Sequence, residues 1–204
     1  MVRKFVWILI SIIGGMAFLG CGSDNGSVSS GLKIFVTAEK HVSDFANDPT
    51  LKGNNAIEKA DSFCNGSSNK PNNSTYKALI VDGTTRNAVT STNWVLLPNT
   101  AYYRPYNNVV IDTTSSSSIF SAYWRNMSNG FDDCSGPDCF VWTGIDDPAT
   151  FATNGGNCAG WSGTGSHGRF GYSSNKTAGA FTDGISGACT GNIGAKIYCV
   201  EQPI

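Results

Sequence analysis

The sequence predicts an α+β domain of short antiparallel strands, at least one early helix and long loops, held together by disulfide bonds. Three observations lead to this fold class. Short runs of β-branched and aromatic residues are separated by polar stretches, 24 of the 204 residues are glycine, and seven cysteines are spread along the chain. Aromatic residues make up 11% of the chain, which argues against a disordered protein because disordered segments are poor in them.

The first twenty residues are typical of an export signal. Arg3 and Lys4 precede an apolar run over residues 5–19. At ~1.5 Å per residue such a helix reaches only about 22 Å, which is short for a hydrocarbon core of roughly 30 Å. Gly20 and Cys21 then resemble the lipobox at which lipoproteins are cleaved and acylated on cysteine. We expect a signal peptide over residues 1–20 and lipidation of Cys21; an ordinary secretory signal and a single-pass anchor are the alternatives.

Lipidation also accounts for the odd number of cysteines. Without Cys21, six of the seven cysteines remain, enough for three disulfides in an oxidising compartment. Residues 22–30 consist mostly of glycine and serine and predict a flexible tether. We therefore expect residues 21–30 to form a lipidated tether and residues 31–204 to form one domain.

Secondary-structure signals follow along this domain. Asn55 is placed to cap a helix over residues 56–64, in which Ile57, Ala60 and Cys64 share one face. Seven runs rich in β-branched or aromatic residues predict strands, at 32–37, 76–81, 94–97, 109–113, 119–124, 140–145 and 196–200. Residues 155–180 are rich in glycine and predict a long loop. The tryptophans at positions 94, 124, 142 and 161 are expected in the core.

Charge and motifs exclude several classes of function. Loss of Arg3 and Lys4 lowers the number of basic side chains from 14 to 12, against 15 acidic ones. The remaining arginines are scattered, which argues against nucleic-acid and heparin binding. The chain lacks the Gly-x-Ser-x-Gly pattern of serine hydrolases, and His41 and His167 are far apart. We expect neither an enzyme nor a cofactor.

Acidic residues of short loops are candidates for calcium, which prefers carboxylate and carbonyl oxygens. They are Asp132, Asp133, Asp138, Asp146 and Asp147. The alternative is that they are solvated turn residues, since aspartate favours turns. We predict this alternative and therefore no metal site.

A second group of candidates is aromatic and basic. Tyrosine and arginine are enriched at protein interfaces, and one short segment combines them as Tyr102, Tyr103, Arg104 and Tyr106. A packed loop is the alternative for this segment.

Several short motifs, in this order along the chain, resemble those of one bacterial family. They are residues 60–64 (Ala-Asp-Ser-Phe-Cys), 76–80 (Tyr-Lys-Ala-Leu-Ile), 141–144 (Val-Trp-Thr-Gly), 157–161 (Asn-Cys-Ala-Gly-Trp), 182–184 (Thr-Asp-Gly) and 197–201 (Ile-Tyr-Cys-Val-Glu). Over most of residues 32–202 the chain is similar to the leptospiral endostatin-like surface lipoproteins. The resemblance implies a C-type-lectin-like domain. The Glu-Pro-Asn and Trp-Asn-Asp motifs with which sugar-binding C-type lectins hold calcium are absent from the sequence.

The resemblance also implies a disulfide pattern. In such domains the helix cysteine pairs with the last-strand cysteine, and two cysteines between them pair with each other. On this chain the implied pairs are Cys64–Cys199 and Cys158–Cys189, which leaves Cys134–Cys139 as a local bridge.

The function implied by the resemblance is that of an adhesin. Members of this family are regarded as binding laminin, fibronectin, plasminogen and, in some cases, complement factor H. We expect a monomeric lipoprotein anchored in the outer membrane through Cys21 and displayed on the cell surface. A structural or periplasm-facing envelope lipoprotein with no host ligand is the alternative.

Overall fold

The structure is a computed structural model that describes residues 31–165, 167–183, 186–190 and 193–203. The predicted signal peptide, the lipidated Cys21 and the tether lie outside the described residues.

Strands and short helices alternate along the described chain. The helices are α1 (Ala56–Gly66) and the single turn α2 (Cys158–Trp161), with 3-10 turns at Gly136–Cys139 and Ala178–Ala180. The strands are β1 (Leu32–Val36), β2 (Tyr76–Ala78), β3 (Ala101–Tyr103), β4 (Val110–Thr113), β5 (Phe140–Trp142), β6 (Gly168–Tyr172), β7 (Ser186–Gly187) and β8 (Lys196–Glu201). The mixture confirms the predicted α+β class.

The sheet is mixed, and the prediction of antiparallel strands alone is wrong. The strand order is β4-β3-β1-β8-β5-β6-β7, and β2 also pairs with β8. β1 runs parallel to β3, and β5 runs parallel to β8. Parallel neighbours need a long crossover connection, and α1 with β2 lies in the connection from β1 to β3. The last strand, β8, is central because β1, β2 and β5 all pair with it.

Helix α1 forms where its capping signal predicts it. The Asn55 side chain accepts a hydrogen bond from the Glu58 backbone N–H, and this bond satisfies one of the donors left unpaired at a helix start. Ile57, Ala60 and Cys64 are fully buried, as their shared face predicts.

Other elements differ from the sequence prediction. Residues 94–97 are irregular, and residues 119–124 end in a turn over 122–124, so neither is a strand. In contrast, β3, β6 and β7 were not predicted. β6 contains Gly168 and Gly171, which weaken a strand signal. A Cβ atom at Gly171 would lie 1.8 Å from the Ala180 carbonyl oxygen, so glycine here permits the close approach of another chain segment.

Two buried clusters fill the domain. One contains Phe120, Phe131, Phe181 and Tyr198, and the other contains α1 together with Trp142 and Trp161. Disulfides join the two pairs that the resemblance implies, Cys64–Cys199 and Cys158–Cys189, and the remaining pair Cys134–Cys139. Their sequence separations are 135, 31 and 5 residues. None of the helices in the described chain has the length and apolar character of a membrane span.

Candidate binding surface

The most exposed large aromatic side chains of the described residues include two neighbours, Tyr123 and Trp124. Trp124 exposes 77% of its surface and Tyr123 exposes 51%. Their rings meet edge to face, with centroids 4.7 Å apart and planes at 88°, an arrangement that aromatic pairs favour. We call these two residues the aromatic pair.

The turn that carries the aromatic pair is hydrogen-bonded to itself and to β4. The Ser121 carbonyl accepts from the N–H groups of Trp124 and Arg125, at 3.0 and 3.1 Å. The Arg125 guanidinium forms an ion pair with the buried carboxylate of Asp112 in β4, at 2.9 Å. Met127, only 2% exposed, fixes the next part of the chain in the core. The aromatic pair therefore projects from an ordered turn.

The prediction that all four tryptophans lie in the core is wrong for Trp124. Trp142 and Trp161 are fully buried, and Trp94 packs against the core from a half-buried position. Each of these three indole N–H groups donates to a backbone carbonyl at 2.8 to 3.0 Å. The donor–acceptor pairs are Trp142–His41, Trp161–Val81 and Trp94–Ser118. Burial of a tryptophan is favourable when its N–H finds such an acceptor.

The predicted binding segment at residues 102–106 is mostly packed. Tyr102 is fully buried, and its hydroxyl oxygen accepts from the Leu97 N–H at 2.8 Å. Burial raises the pKa of Tyr102 to about 12. Tyr103 is half-buried and Arg104 is 4% exposed. The packed-loop alternative describes these three residues, and only Tyr106, 60% exposed, presents its ring to solvent.

Tyr106 is fixed although it is exposed. Its hydroxyl accepts from Arg104 Nη1 at 2.9 Å and donates to Asp133 Oδ2 at 3.0 Å. Arg104 also pairs with Asp133 Oδ1 at 2.6 Å and donates to the Gly130 carbonyl. The hydrogen bond from Arg104 lowers the pKa of Asp133, so the carboxylate stays charged and continues to hold the tyrosine.

The aspartates considered for calcium are engaged with different partners. Asp133 pairs with Arg104, Asp138 with Lys40, and Asp146 with Arg169. Asp147 accepts hydrogen bonds from Ala149 N–H and Thr150, and Asp132 accepts one from Cys134 N–H. Within the described residues no group of three His, Cys, Asp or Glu side chains is placed to hold a metal ion.

His41 has a packing role. It is 9% exposed, its ring stacks on Phe45 with centroids 4.0 Å apart, and its Nε2 lies 2.9 Å from Asp48 Oδ2. His167 lies beside Ser166, which is outside the described residues. The buried, stacked position of His41 leaves little room for a substrate at its ring.

All four arginines of residues 31–204 are paired with aspartates. The pairs are Arg86–Asp61, Arg104–Asp133, Arg125–Asp112 and Arg169–Asp146, with closest N–O distances of 2.5 to 2.9 Å. Each guanidinium is therefore neutralised locally, and the four do not form a free basic patch of the kind that binds heparin.

A search among curated proteins finds no significant match to the chain. A family model described as "Protein of unknown function (DUF1554)" matches residues 49–178. The matched stretch covers α1, β2 to β6 and the aromatic pair. Since it spans more than half of the 204 residues, the chain belongs to the DUF1554 family.

Proposed function

We propose that this protein is a lipoprotein anchored through Cys21 and displayed on the outer surface of the cell, where its domain binds a host protein through the aromatic pair. The exposure of Trp124 carries this proposal. A tryptophan that exposes 77% of its surface gains most by burial against a partner, since apolar burial contributes about 25 cal/mol per Å².

The geometry of the turn supports this role. Interface residues that dominate affinity are enriched in tryptophan, tyrosine and arginine, and Tyr123, Trp124 and Arg125 are consecutive. The Arg125–Asp112 ion pair and the Ser121 carbonyl hold the turn, so little conformational freedom remains to be lost on binding.

The chemistry of the surface indicates the kind of partner. The four arginines are neutralised by aspartates, so we expect binding through the aromatic pair to depend on apolar contact rather than on a polyanion. The resemblance to endostatin-like surface lipoproteins, with a C-type-lectin-like domain, suggests laminin, fibronectin, plasminogen and factor H as partners. Binding by buried aromatic surface responds weakly to salt, whereas contacts between exposed charges are screened within about 3 Å at 1 M.

Binding of the full chain in detergent to immobilised laminin, fibronectin, plasminogen and factor H tests the proposal. We expect saturable binding to at least one of them that survives chelator and 1 M salt. The double variant Tyr123→Ala/Trp124→Ala should lose at least tenfold in affinity. Val89→Ala is the matched control, because Val89 is also an exposed apolar side chain, at 62%. Equal losses in both variants, or binding to none of the four proteins, contradicts the proposal.

Display is tested separately with protease. Treatment of intact cells should degrade the protein, as it degrades other surface proteins. Full protection until the outer membrane is opened would instead favour the periplasm-facing alternative and remove the adhesin proposal.

A further inference from the structure

The Cys134–Cys139 disulfide differs from the other two in its access to solvent. The four cysteines of the other two bridges are at most 4% exposed. Cys139 is fully buried as well, but Cys134 is partly exposed, and residues 135–138 of the loop between them are exposed. Among the bridged cysteines of the described chain, Cys134 is therefore the most accessible to a dissolved reagent.

Access to sulfur governs thiol–disulfide exchange. A thiolate must reach one sulfur atom of the bridge before the bond can break, so a buried bridge exchanges slowly while the protein is folded. The Cys64–Cys199 bridge joins α1 to the central strand β8, so a thiol reaches it only after these two elements separate. Both cysteines of Cys158–Cys189 are buried in the same way, and a thiol reaches them only after α2 is displaced.

The loop between Cys134 and Cys139 can open without such a rearrangement. Its 3-10 turn, Gly136–Cys139, buries Cys139 and leaves the other residues exposed. The loop is also held by an ion pair between Lys40 and Asp138 at 2.6 Å, whose side chains are 39% and 73% exposed. Exposed ion pairs contribute little, and segments with few buried contacts open at a low cost in free energy.

The chain on either side of this loop is fixed independently of the bridge. The Phe131 N–H donates to the Ser173 carbonyl at 2.6 Å, and β5, which begins at Phe140, pairs with β6 and β8. A bridge that spans 5 residues also constrains the unfolded chain less than the two longer ones do. We therefore expect the domain to stay folded after this bridge opens.

We propose that the Cys134–Cys139 bridge is a thiol-exchange site, at which a low-molecular-weight thiol attacks the Cys134 sulfur. A new S–S bond forms between the small thiol and Cys134, the bond to Cys139 breaks, and its electron pair leaves with the Cys139 sulfur. A second small thiol then displaces Cys134 from the mixed disulfide. Two small thiols are thereby oxidised to one disulfide, the bridge is reduced to two cysteines, and the two protons lost by the small thiols are taken up by those cysteines.

The surroundings of Cys134 favour a small thiol over the thiol of a folded protein. Cys134 is only partly exposed, and the Ser173 hydroxyl oxygen lies 3.3 Å from its sulfur. A small molecule can approach such a site, whereas a second protein surface is obstructed by the exposed loop at 135–138.

Opening of the bridge acts on Tyr106 through Asp133. Asp133 directly precedes Cys134, and its carboxylate accepts from Arg104 at 2.6 Å and from the Tyr106 hydroxyl at 3.0 Å. Without the bridge, residues 133–138 gain conformational freedom, so these bonds hold Tyr106 less firmly. The aromatic pair is not affected, because its turn is held by the Ser121 carbonyl and by Asp112. The exchange site therefore goes beyond the proposed binding function.

Timed alkylation of the full chain in detergent tests the proposal. The protein is incubated with millimolar glutathione at slightly alkaline pH, free thiols are blocked at intervals, and cysteine peptides are mapped by mass spectrometry. We expect glutathione to appear first on Cys134, and the bridge to open at least tenfold faster than either buried bridge. In urea the three bridges should react within about threefold of one another, because the fold no longer limits access.

The variant Cys134→Ala/Cys139→Ala is the matched control, because it lacks the bridge and keeps the other two. Its amide hydrogen exchange over residues 132–138 should be as fast as in the native protein treated with glutathione, and glutathione should not change it further. Exchange over residues 121–127 and binding through the aromatic pair should stay unchanged in both, so a failure here is distinct from a failure of the proposed function.

Four outcomes overturn the proposal. They are the opening of a buried bridge before Cys134–Cys139, the simultaneous opening of all three with loss of the fold, the absence of opening in the folded protein, and a first mixed disulfide on Cys139. A tenfold faster reaction that persists in urea also contradicts it, because the selectivity would then come from the local sequence rather than from access in the folded domain.

Discussion

Two regions of this molecule are held together in different ways. The region of α1, β2 and β8 is joined by the Cys64–Cys199 disulfide, which spans 135 residues, and by three pairings to the central strand β8. The segment over residues 121–139 is held by the turn at Ser121, by backbone hydrogen bonds to residues 111, 173 and 176, and by the Cys134–Cys139 disulfide, which spans only 5 residues. The exposed aromatic pair lies on the second region.

The difference suggests a division of roles. Long-range cross-links constrain the unfolded chain most, so the first region should carry much of the stability of the domain. The aromatic pair of the second region lies outside the two buried clusters, so a change there should not weaken the core. Sequence changes should therefore affect either stability or binding, according to region.

The largest difference is expected between the two disulfides. Cys64→Ala/Cys199→Ala should lower the free energy of unfolding by about 5 kcal/mol, and Cys134→Ala/Cys139→Ala by about 2 kcal/mol, from the loop-length dependence of chain entropy. Urea unfolding of both variants measures this. Equal losses of unfolding free energy in the two variants would contradict a larger contribution from the long-range disulfide.

Two of the four arginine–aspartate pairs, Arg86–Asp61 and Arg104–Asp133, give the next comparison. Arg86 is fully buried, and it donates to both oxygens of Asp61, at 2.9 and 2.8 Å, and to the Ala78 carbonyl at 2.6 Å. Asp61→Asn leaves part of this buried charge uncompensated and should cost about 3 kcal/mol. Asp133→Asn should cost much less, because the Asp133 side chain is 71% exposed and water can replace it. A larger loss of unfolding free energy for Asp133→Asn than for Asp61→Asn would contradict this account.

A pH titration should show a smaller effect at Glu39. Burial raises the pKa of Glu39, but hydrogen bonds from Ser67 and Ser68 outweigh it and lower the pKa from 4.5 to about 2. A carboxylate with a lowered folded-state pKa stabilises the protein above its unfolded-state value. Unfolding free energy should therefore fall as the pH drops from 4.5 to about 2. Glu39→Gln should flatten that part of the profile, and an unchanged profile contradicts the assignment.

The smallest effect is expected in α2, where the backbone is left-handed. Cys158, Ala159 and Trp161 have φ values of 50°, 52° and 63°. A residue with a Cβ atom in this conformation costs roughly 1–2 kcal/mol. Glycine avoids this cost, but it also loses more conformational freedom on folding, so only part of the cost is recovered. Ala159→Gly should therefore raise the free energy of unfolding by about 0.5 kcal/mol. Ala149→Gly, outside such a conformation, should lower it, and a loss in both variants would contradict the account.

Local signals in the sequence were sufficient for some elements and not for others. Helix α1 is predictable because its capping residue Asn55 and the residues of its apolar face lie within eleven positions of one another. The prediction of a strand at 119–124 fails because the turn depends on Asp112, 13 residues before Arg125. β6 is hidden because Gly171 is required by the Ala180 backbone and Gly168 by the Trp142 ring and the Cys158 sulfur.

The exposure of the aromatic pair and of Tyr106 was equally hard to predict. Trp161 is buried because tertiary structure supplies the Val81 carbonyl, 80 residues before it, that accepts from its indole N–H. In the segment 102–106, the fixed side chain of Arg104 and the exposure of Tyr106 depend on Asp133, which lies 29 residues beyond Arg104. Composition pointed to tyrosine and arginine in this segment, but it could not indicate which side chain reaches solvent.

The most direct test of the division between the two regions is a single variant with two readouts. Trp124→Ala should keep its free energy of unfolding within about 0.5 kcal/mol of the native value, as exposed substitutions commonly do. On the same preparation, affinity for the host protein bound best by the native chain should fall at least tenfold, since truncation of a central aromatic residue costs about 2 kcal/mol or more. Native affinity in a folded Trp124→Ala protein, or a loss of stability equal to the loss of binding, would contradict the account.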